Sequence, residues 1–244
     1  MTPRLWSLSY SPWSERARWA LDYGRAPYRK RSYKPLFDEL ALRRALGRWR
    51  GPVSVPILET EGGVLDGGLA IAEYAEAHGE QPVIPPEQRS EVLRWDERAS
   101  AAMSAGRMCS LVRTLRSPAS MAELVPPNLQ RVPGKLAIAR AGIRRTMRKY
   151  APVTPANPED ALVRALEELR EALASGHETD GVRHLLPTFG YADMSIAQIL
   201  AFVEPPKSHL RIGDATRETY RDGALAERFA DLVEWRDGVY ETFR

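Results

Sequence analysis

Residues 11–21 read SPWSERARWAL, and they have the features of a helix that begins directly after a strand. Ser11 is suited to cap the helix, Pro12 suits its first position, and Glu15 places negative charge in its first turn. The preceding residues 4–8 read RLWSL and have the composition of a short strand. We therefore predict a β-strand that leads through Ser11 into the first helix of the protein.

The sequence up to residue 79 continues this alternation of strands and helices. Apolar periodicity and glycine-rich turns mark the boundaries of each element. Further strands are predicted over residues 28–33, 55–59 and 64–66, and further helices over residues 37–46 and 69–78. This order predicts a compact α/β domain over residues 1–79.

A proline-rich segment separates this domain from a second region that has only helical patterns. Residues 80–86 read EQPVIPP, which is typical of a domain linker. The helices predicted after it cover residues 87–116, 135–150, 157–174, 191–203 and 224–242. The sequence therefore predicts an all-helical second domain over residues 87–244.

The composition is that of an ordinary globular protein and excludes several other classes. The chain has 244 residues, of which 43% are hydrophobic and 27% are charged. No apolar run reaches the roughly 18 residues of a membrane-spanning helix, and the N-terminus has no secretory signal. Cys109 is the only cysteine, which excludes an intramolecular disulfide, and the four histidines lack metal-ligand spacing. We predict a cytoplasmic protein with no metal ion and no membrane partner.

The net charge is +3, and basic residues are concentrated in one part of the second domain. Residues 128–158 contain no acidic residue, whereas seven Arg and Lys residues lie between residues 131 and 149. A solvated helix face is the ordinary explanation. A pocket edge that attracts anionic substrates is the alternative. Because no nucleic-acid-binding motif is present, we predict no nucleic acid partner.

Four short motifs occur in an order that resembles the glutathione transferase family. The stretch 11–21 is similar to the first helix of the serine and cysteine classes, tau, zeta and omega. Residues 55–58, VPIL, are similar to the family's cis-proline turn and third strand, and residues 64–74, VLDGGLAIAEY, to its fourth strand and third helix. Residues 190–194, GYADM, are similar to the capping motif of a buried helix in the second domain. The resemblance implies an α/β, thioredoxin-like N-terminal domain followed by an all-α domain.

The resemblance implies a glutathione site at the start of the first helix. Ser11 stands at the catalytic position, where a hydroxyl group and the helix dipole favour the thiolate of bound glutathione. This thiolate would attack a small apolar electrophile held by the second domain. Trp13 and Ser14 are expected to join Ser11 as glutathione contacts. A plain helix cap is the alternative role for Ser11, and the two roles are compatible.

The resemblance also implies how the rest of glutathione is held. Val55 precedes Pro56, whose peptide bond would be cis, and the backbone of Val55 would pair with the cysteinyl part of glutathione. Two glycines, Gly67 and Gly68, stand where relatives carry an acid and a serine for the γ-glutamyl group. Asp66 lies one residue too early to replace that acid directly. Backbone N–H groups at the helix start remain available to bind a carboxylate.

Ser54 is a second departure from the family pattern, because many relatives have a lysine at this position. Arg29, Lys30, Lys34 and Arg50 are the candidates to supply that charge. The departures keep two alternatives open: a non-catalytic binding or assembly module of this fold, or an enzyme of this fold that uses a different thiol. Reductase chemistry is disfavoured, since those relatives carry cysteine where Ser11 stands.

Other residues receive structural or pocket roles from the same resemblance. Asp193 is expected to be the buried capping acid of the GYADM motif, with Gly190 in place of the usual Ser or Thr. Cys109 is interpreted as a buried, inert thiol, with a place in the substrate pocket as the alternative. The pocket stretch of relatives covers Met103, Arg107, Met108 and Leu111, with helix packing as the alternative. The family usually forms two-fold dimers, which predicts a homodimer. The resemblance also implies a role in detoxification.

Overall fold

A computed structural model describes residues 2–35, 37–125 and 129–244 of the protein. Its first part is a four-stranded sheet with three helices. The strands are β1 (Arg4–Ser7), β2 (Arg29–Ser32), β3 (Ile57–Thr60) and β4 (Gly63–Asp66), and the helices are α1 (Pro12–Tyr23), α2 (Glu39–Leu46) and α3 (Gly68–His78). The order across the sheet is β2-β1-β3-β4, with β1 and β2 parallel and the other pairs antiparallel. This is the thioredoxin-like arrangement that the sequence predicts.

The second part is helical, as predicted, and contains one small hairpin. Its helices are α4 (Arg89–Arg116), α5 (Pro118–Glu123), α6 (Lys135–Tyr150), α7 (Pro158–Ala174), α8 (Tyr191–Ala197), α9 (Asp214–Tyr220), α10 (Gly223–Arg228) and α11 (Ala230–Phe243). The hairpin pairs β5 (His177–Thr179) with β6 (Val182–His184). The predicted fold class is therefore confirmed, while the exact domain boundaries stay a prediction.

Several elements of the second part differ from the sequence prediction. Asp180 and Gly181 have φ angles of 52° and 76° and form the two-residue turn of the β5–β6 hairpin, which the prediction omitted. Helix α9 was not predicted either. The predicted last helix is interrupted at Phe229, a fully buried residue whose φ of −118° and ψ of 34° separate α10 from α11. The predicted buried helix continues after Ala197 as a 3-10 helix.

Helix α8 lies at the centre of the core. Every residue of α8 is buried, and so is every residue of the 3-10 helix that follows it. Trp19 of α1 is also fully buried, and its ring centroid lies 4.5 Å from that of Tyr240 in α11. Because the core runs from the first part into the second, α1 is fixed against the helical domain.

Buried ion pairs fix the other side of α1. Glu15 is 1% exposed and accepts hydrogen bonds from Arg18 and Arg244, each at 2.8 Å. Arg244 also pairs with Asp22 at 2.8 Å. The position of α1 is thus determined by α8 and by the end of the chain together. No helix in the described part of the chain has the length and apolar character needed to span a membrane.

Candidate functional site

The strand register brings three segments of the predicted site to one edge of the sheet. Trp6 near the end of β1 lies opposite Ile57, the first residue of β3. Ile57 in turn lies opposite Asp66, the last residue of β4. The loop that leads to α1, the turn that precedes β3 and the start of α3 therefore meet at the same edge.

Ser11 caps the N-terminus of α1, as predicted. Its backbone is extended, with φ of −94° and ψ of 122°, and its Oγ accepts a hydrogen bond from the Ser14 N–H at 3.4 Å. Ser11 is 9% exposed, and no described residue accepts its hydroxyl hydrogen. The hydroxyl group is therefore held at the positive end of the α1 dipole, and its O–H can still donate a hydrogen bond. A hydrogen bond to a sulfur anion needs such a donor.

Trp13 and Ser14 lie in different surroundings. Ser14 is fully buried, and its Oγ accepts a hydrogen bond from the Leu8 N–H at 3.0 Å. Because its side chain has no exposed area, Ser14 fixes the loop between β1 and α1 instead of reaching a ligand. The Trp13 ring lies edge-on to Phe202, at 6.0 Å between centroids, and 4.4 Å from the Arg107 guanidinium. Trp13 thus contacts the helical domain.

The peptide bond between Val55 and Pro56 is cis, as the resemblance implies. Ser54 and Val55 are partly exposed, whereas Pro56 is buried. The carbonyl of Pro56 accepts a hydrogen bond from the Gly67 N–H at 3.1 Å. This bond ties the turn before β3 to the start of α3, so the backbone of Val55 lies close to the first turn of that helix.

Two different constraints explain the glycines at the start of α3. Gly67 has a φ of 97°, a region that side chains rarely adopt, although nothing lies within 4 Å of a Cβ built there. At Gly68 the constraint is space, since a Cβ would lie 2.5 Å from Tyr191 Oη and 2.6 Å from Arg16 Nε. The serine that relatives carry at this position has no room here, because Tyr191 and Arg16 occupy its place.

Arg16 and Tyr191 belong to a buried polar cluster between α1, α4 and α8. Arg16 Nη1 donates to Asp96 Oδ1 at 2.7 Å, to Ser195 Oγ at 2.8 Å and to Ser100 Oγ at 3.2 Å. Arg16 Nε has no hydrogen-bond partner among the described residues. The Tyr191 hydroxyl lies near Asp96 and Ser195 without meeting hydrogen-bond geometry. Burial raises the pKa of Tyr191, so this hydroxyl stays neutral. The cluster places two polar groups directly behind the N-terminus of α3.

The charged residues that the sequence suggested near the site are engaged elsewhere or exposed. Asp66 pairs with Arg48 at 3.3 Å on the surface, so it does not take the place of the missing acid in this structure. Lys30 lies in β2 and pairs with Asp22 at 4.0 Å. The other three suggested cations, Arg29, Lys34 and Arg50, are exposed.

Lys149 of α6 approaches the site from the helical domain. Its Nζ donates to the Val53 carbonyl at 2.6 Å, next to Ser54. Arg145 of the same helix pairs with Glu39 of α2 at 3.3 Å, which gives α6 a second contact with the first domain. Lys149 has no acidic partner among the described residues. Sequence reasoning missed Lys149 because 96 positions separate it from Val53 and only the fold joins them.

Arg107 of α4 lies against aromatic rings beside the start of α1. Its guanidinium is 3.6 Å from the centroid of the Tyr150 ring and 4.4 Å from that of Trp13. The hydrogen bond described for it is a long one, to Ser104 Oγ at 3.5 Å. Burial lowers the pKa of Arg107 to about 10, which leaves the side chain charged at neutral pH.

The other predicted pocket residues are either buried in the core or half-buried. Met103 is fully buried in the main core, which agrees with the helix-packing alternative. Met108 and Leu111 are half-buried. Cys109 is half-buried as well, and burial raises the pKa of its thiol, as for an inert cysteine. Within the described ranges, no group of three or more His, Cys, Asp or Glu is placed to hold a metal ion.

Asp193 caps α8 from inside the core, as expected. Its carboxyl group is fully buried and accepts hydrogen bonds from the Leu185 N–H at 2.8 Å and the Gly190 N–H at 3.3 Å. A Cβ at Gly190 would lie 2.6 Å from the Val83 carbonyl oxygen, which itself accepts from the Tyr191 N–H at 2.9 Å. This close approach explains why Gly190 replaces the usual Ser or Thr.

Two surface cavities lie away from this edge of the sheet. One, of about 340 Å³, borders α10 and Glu204. The other, of about 490 Å³, is lined by residues 130–136. Neither includes a residue of the three converging segments, so the chemistry of the edge, and not the size of a cavity, identifies the candidate site.

Comparison with protein families identifies the N-terminal domain. Residues 10–78 match the family model described as the glutathione S-transferase N-terminal domain. This segment contains the cap of α1, the cis-proline turn and the start of α3. Residues 10–78 are thus a glutathione S-transferase N-terminal domain. The assignment to the tau, zeta or omega class stays a prediction, because the family model does not separate classes.

Solved structures of glutathione transferases share the fold over nearly the whole chain. A transferase from Phanerochaete chrysosporium is 15% identical, with a TM-score of 0.59, and the match covers 98% of this chain and 94% of that one. A transferase from Methylobacterium radiotolerans, in complex with glutathione sulfonate, is 17% identical, with a TM-score of 0.55 and coverage of 99% and 92%. A transferase from Ceriporiopsis subvermispora, in complex with glutathione, is 18% identical, with a TM-score of 0.56 and coverage of 96% and 98%. A search of curated proteins finds no match.

Proposed function

We propose that this protein is a glutathione transferase that binds glutathione at the sheet edge where the three segments meet and activates the sulfur at Ser11. The observation that carries the proposal is the Ser11 hydroxyl, which is fixed at the N-terminus of α1 and donates to no residue that the structure describes. The glutathione thiol loses its proton to solvent, and the thiolate forms a bond to a carbon of the second substrate. The leaving group departs with its electron pair. The hydrogen bond from Ser11 and the dipole of α1 favour the thiolate and so lower the thiol pKa.

Three segments are proposed to anchor glutathione. The γ-glutamyl carboxylate binds the free N–H groups in the first turn of α3, with Arg16 behind them. The cysteinyl part pairs with the backbone of Val55. The carboxylate of the glycine end pairs with Lys149, which supplies the charge that relatives place at Ser54. Trp13 is assigned to the second-substrate side because its ring contacts the helical domain.

The substitution Ser11→Ala tests this function. It should lower kcat/KM for 1-chloro-2,4-dinitrobenzene with glutathione roughly 10- to 150-fold, as for the loss of a charge-assisted hydrogen bond of about 1.5–3 kcal/mol. The thiol pKa of bound glutathione, read from thiolate absorbance against pH, should rise. Binding of glutathione itself should change little, because the anchoring segments are untouched.

Ser117 provides the matched control for Ser11. It caps α5, is also followed by proline, and accepts from the Ser120 N–H at 3.2 Å. Ser117→Ala should cost about 1 kcal/mol of stability, as for any lost cap, and should leave turnover unchanged. If Ser11→Ala behaves like Ser117→Ala, Ser11 is only a cap, and the proposed role in sulfur activation is wrong. Absence of turnover in the native protein would instead favour a non-catalytic module of this fold.

The substitution Lys149→Gln tests the proposed anchor for the glycine end of glutathione. It should weaken glutathione binding about tenfold in calorimetric titration, since one charge-assisted contact is lost. Arg148→Gln is the control, because Arg148 is adjacent, carries the same charge and is exposed. Equal effects of the two substitutions would mean that α6 acts only through its overall positive charge.

Several broader expectations remain proposals. A cytoplasmic location, a homodimer and a role in detoxification follow from the family alone. Size-exclusion chromatography coupled to light scattering measures the oligomeric state directly.

A further inference from the structure

Arg107 differs from the arginines nearest to it on α4, because no acidic side chain in the described part of the protein pairs with it. Arg98 pairs with Glu168 at 3.5 Å, and Arg113 pairs with Asp222 at 3.0 Å. No carboxylate of the described residues lies within 4 Å of the Arg107 guanidinium. Taking a charge out of water without a partner is costly, so a half-buried guanidinium in this state is ready to pair with an anion.

Aromatic side chains surround Arg107. The guanidinium lies between the rings of Trp13 and Tyr150. Trp13 contacts Phe202, and Phe202 stacks on Tyr220 with 5.3 Å between centroids. Phe202 is fully buried, whereas Trp13 and Tyr150 are half-buried and offer flat apolar surface to a planar ligand. The low polarity of these rings strengthens any ion pair formed among them.

The position of this aromatic group relative to Ser11 suggests its role. Trp13 follows Ser11 by two residues in the first turn of α1, so Arg107 contacts the same helix end that holds the proposed sulfur position. We propose that Arg107 binds a carboxylate on an aromatic second substrate and makes this protein selective for anionic electrophiles. The guanidinium fork matches a carboxylate with two parallel hydrogen bonds. This inference rests on the proposed function and replaces the purely apolar electrophile that the sequence suggested.

Two product analogues separate this inference from the proposed function. S-benzylglutathione and S-(4-carboxybenzyl)glutathione differ only in one carboxylate, and calorimetric titration measures the dissociation constant of each. The native protein should bind the carboxybenzyl conjugate at least about tenfold more tightly. Arg107→Met should abolish this preference while S-benzylglutathione still binds, and Arg107→Lys should keep part of it. Arg116→Met, at an exposed arginine of the same helix, should keep all of it.

Each other outcome has a distinct meaning. Equal binding of the two conjugates by the native protein overturns the inference and leaves the proposed function standing. A preference that survives in Arg107→Met also overturns it. Equal weakening of both conjugates in Arg107→Met would place Arg107 against glutathione itself and overturn the inference as well. Failure of the native protein to bind either conjugate overturns the proposed function, and the inference with it.

Discussion

Replacing Gly68 with serine should lower the free energy of unfolding by about 2–3 kcal/mol and should not strengthen glutathione binding. Family resemblance alone suggests the opposite, since serine is the usual residue there. The added Cβ would lie 2.5 Å from Tyr191 Oη and 2.6 Å from Arg16 Nε. Both side chains are buried between two domains, so neither moves aside without disturbing the cluster around Asp96.

Urea denaturation and glutathione titration of Gly68→Ser measure the two effects. Gly142→Ser is the control, because Gly142 is exposed on α6 and a Cβ there meets nothing within 4 Å. It should leave stability unchanged or slightly higher. In a Tyr191→Phe background the cost of Gly68→Ser should fall, because one of the two close atoms is gone. A Gly68→Ser protein of native stability that binds glutathione more tightly would contradict this account of α3.

Replacing Asp193 with alanine should lower the free energy of unfolding by about 3 kcal/mol. The fully buried carboxyl group accepts from the Leu185 and Gly190 N–H groups, and alanine would leave both donors unpaired inside the core. Each buried donor left unpaired costs about 1–3 kcal/mol. Thermal or urea denaturation measures the loss, and Glu171→Ala, at an exposed position of α7, should cost little. A loss as small as that of Glu171→Ala would show that Asp193 does not hold α8.

The stability of the native protein should also depend on pH through Asp193. Burial raises the pKa of this carboxyl group to about 7, against about 4 in an unfolded chain. Between these values the folded protein holds a proton that the unfolded chain has released. The contribution of Asp193 to stability is therefore complete below about pH 4 and falls as the pH rises to about 7. An asparagine side chain cannot titrate, so Asp193→Asn should flatten this part of the stability profile, whereas an unchanged slope would assign it to other groups.

The sequence predicted the first domain well because its signals are local. The cap at Ser11, the Val55-Pro56 turn and the start of α3 each occupy a few consecutive residues. The Asp180-Gly181 pair is also a local hairpin signal. The strands on either side are only three residues long, so they show no clear alternating pattern in the sequence. The interruption of the last helix at Phe229 could not be predicted from the sequence, because it depends on the burial of that ring in the assembled core.

The chemistry of the site depends on contacts that no local pattern contains. Lys149 reaches Val53 only after α6 has packed against the first domain. Arg16 of α1 and Tyr191 of α8 both approach Gly68. This close approach explains why glycine stands at a position where the family motif has serine. Likewise, the sequence pattern does not distinguish Arg107 from the other arginines of α4. Only the folded structure shows that Trp13 and Tyr150 lie against it.

Calorimetric titration of the native protein with reduced glutathione tests the central claim most directly. The account predicts one binding site per chain with a dissociation constant of about 1 mM or lower, because three anchoring segments compensate for the residues that relatives carry. The heat should disappear when S-benzylglutathione already fills the site. Absence of binding at about 10 mM glutathione would contradict the account, and the converging edge would then serve another ligand or none.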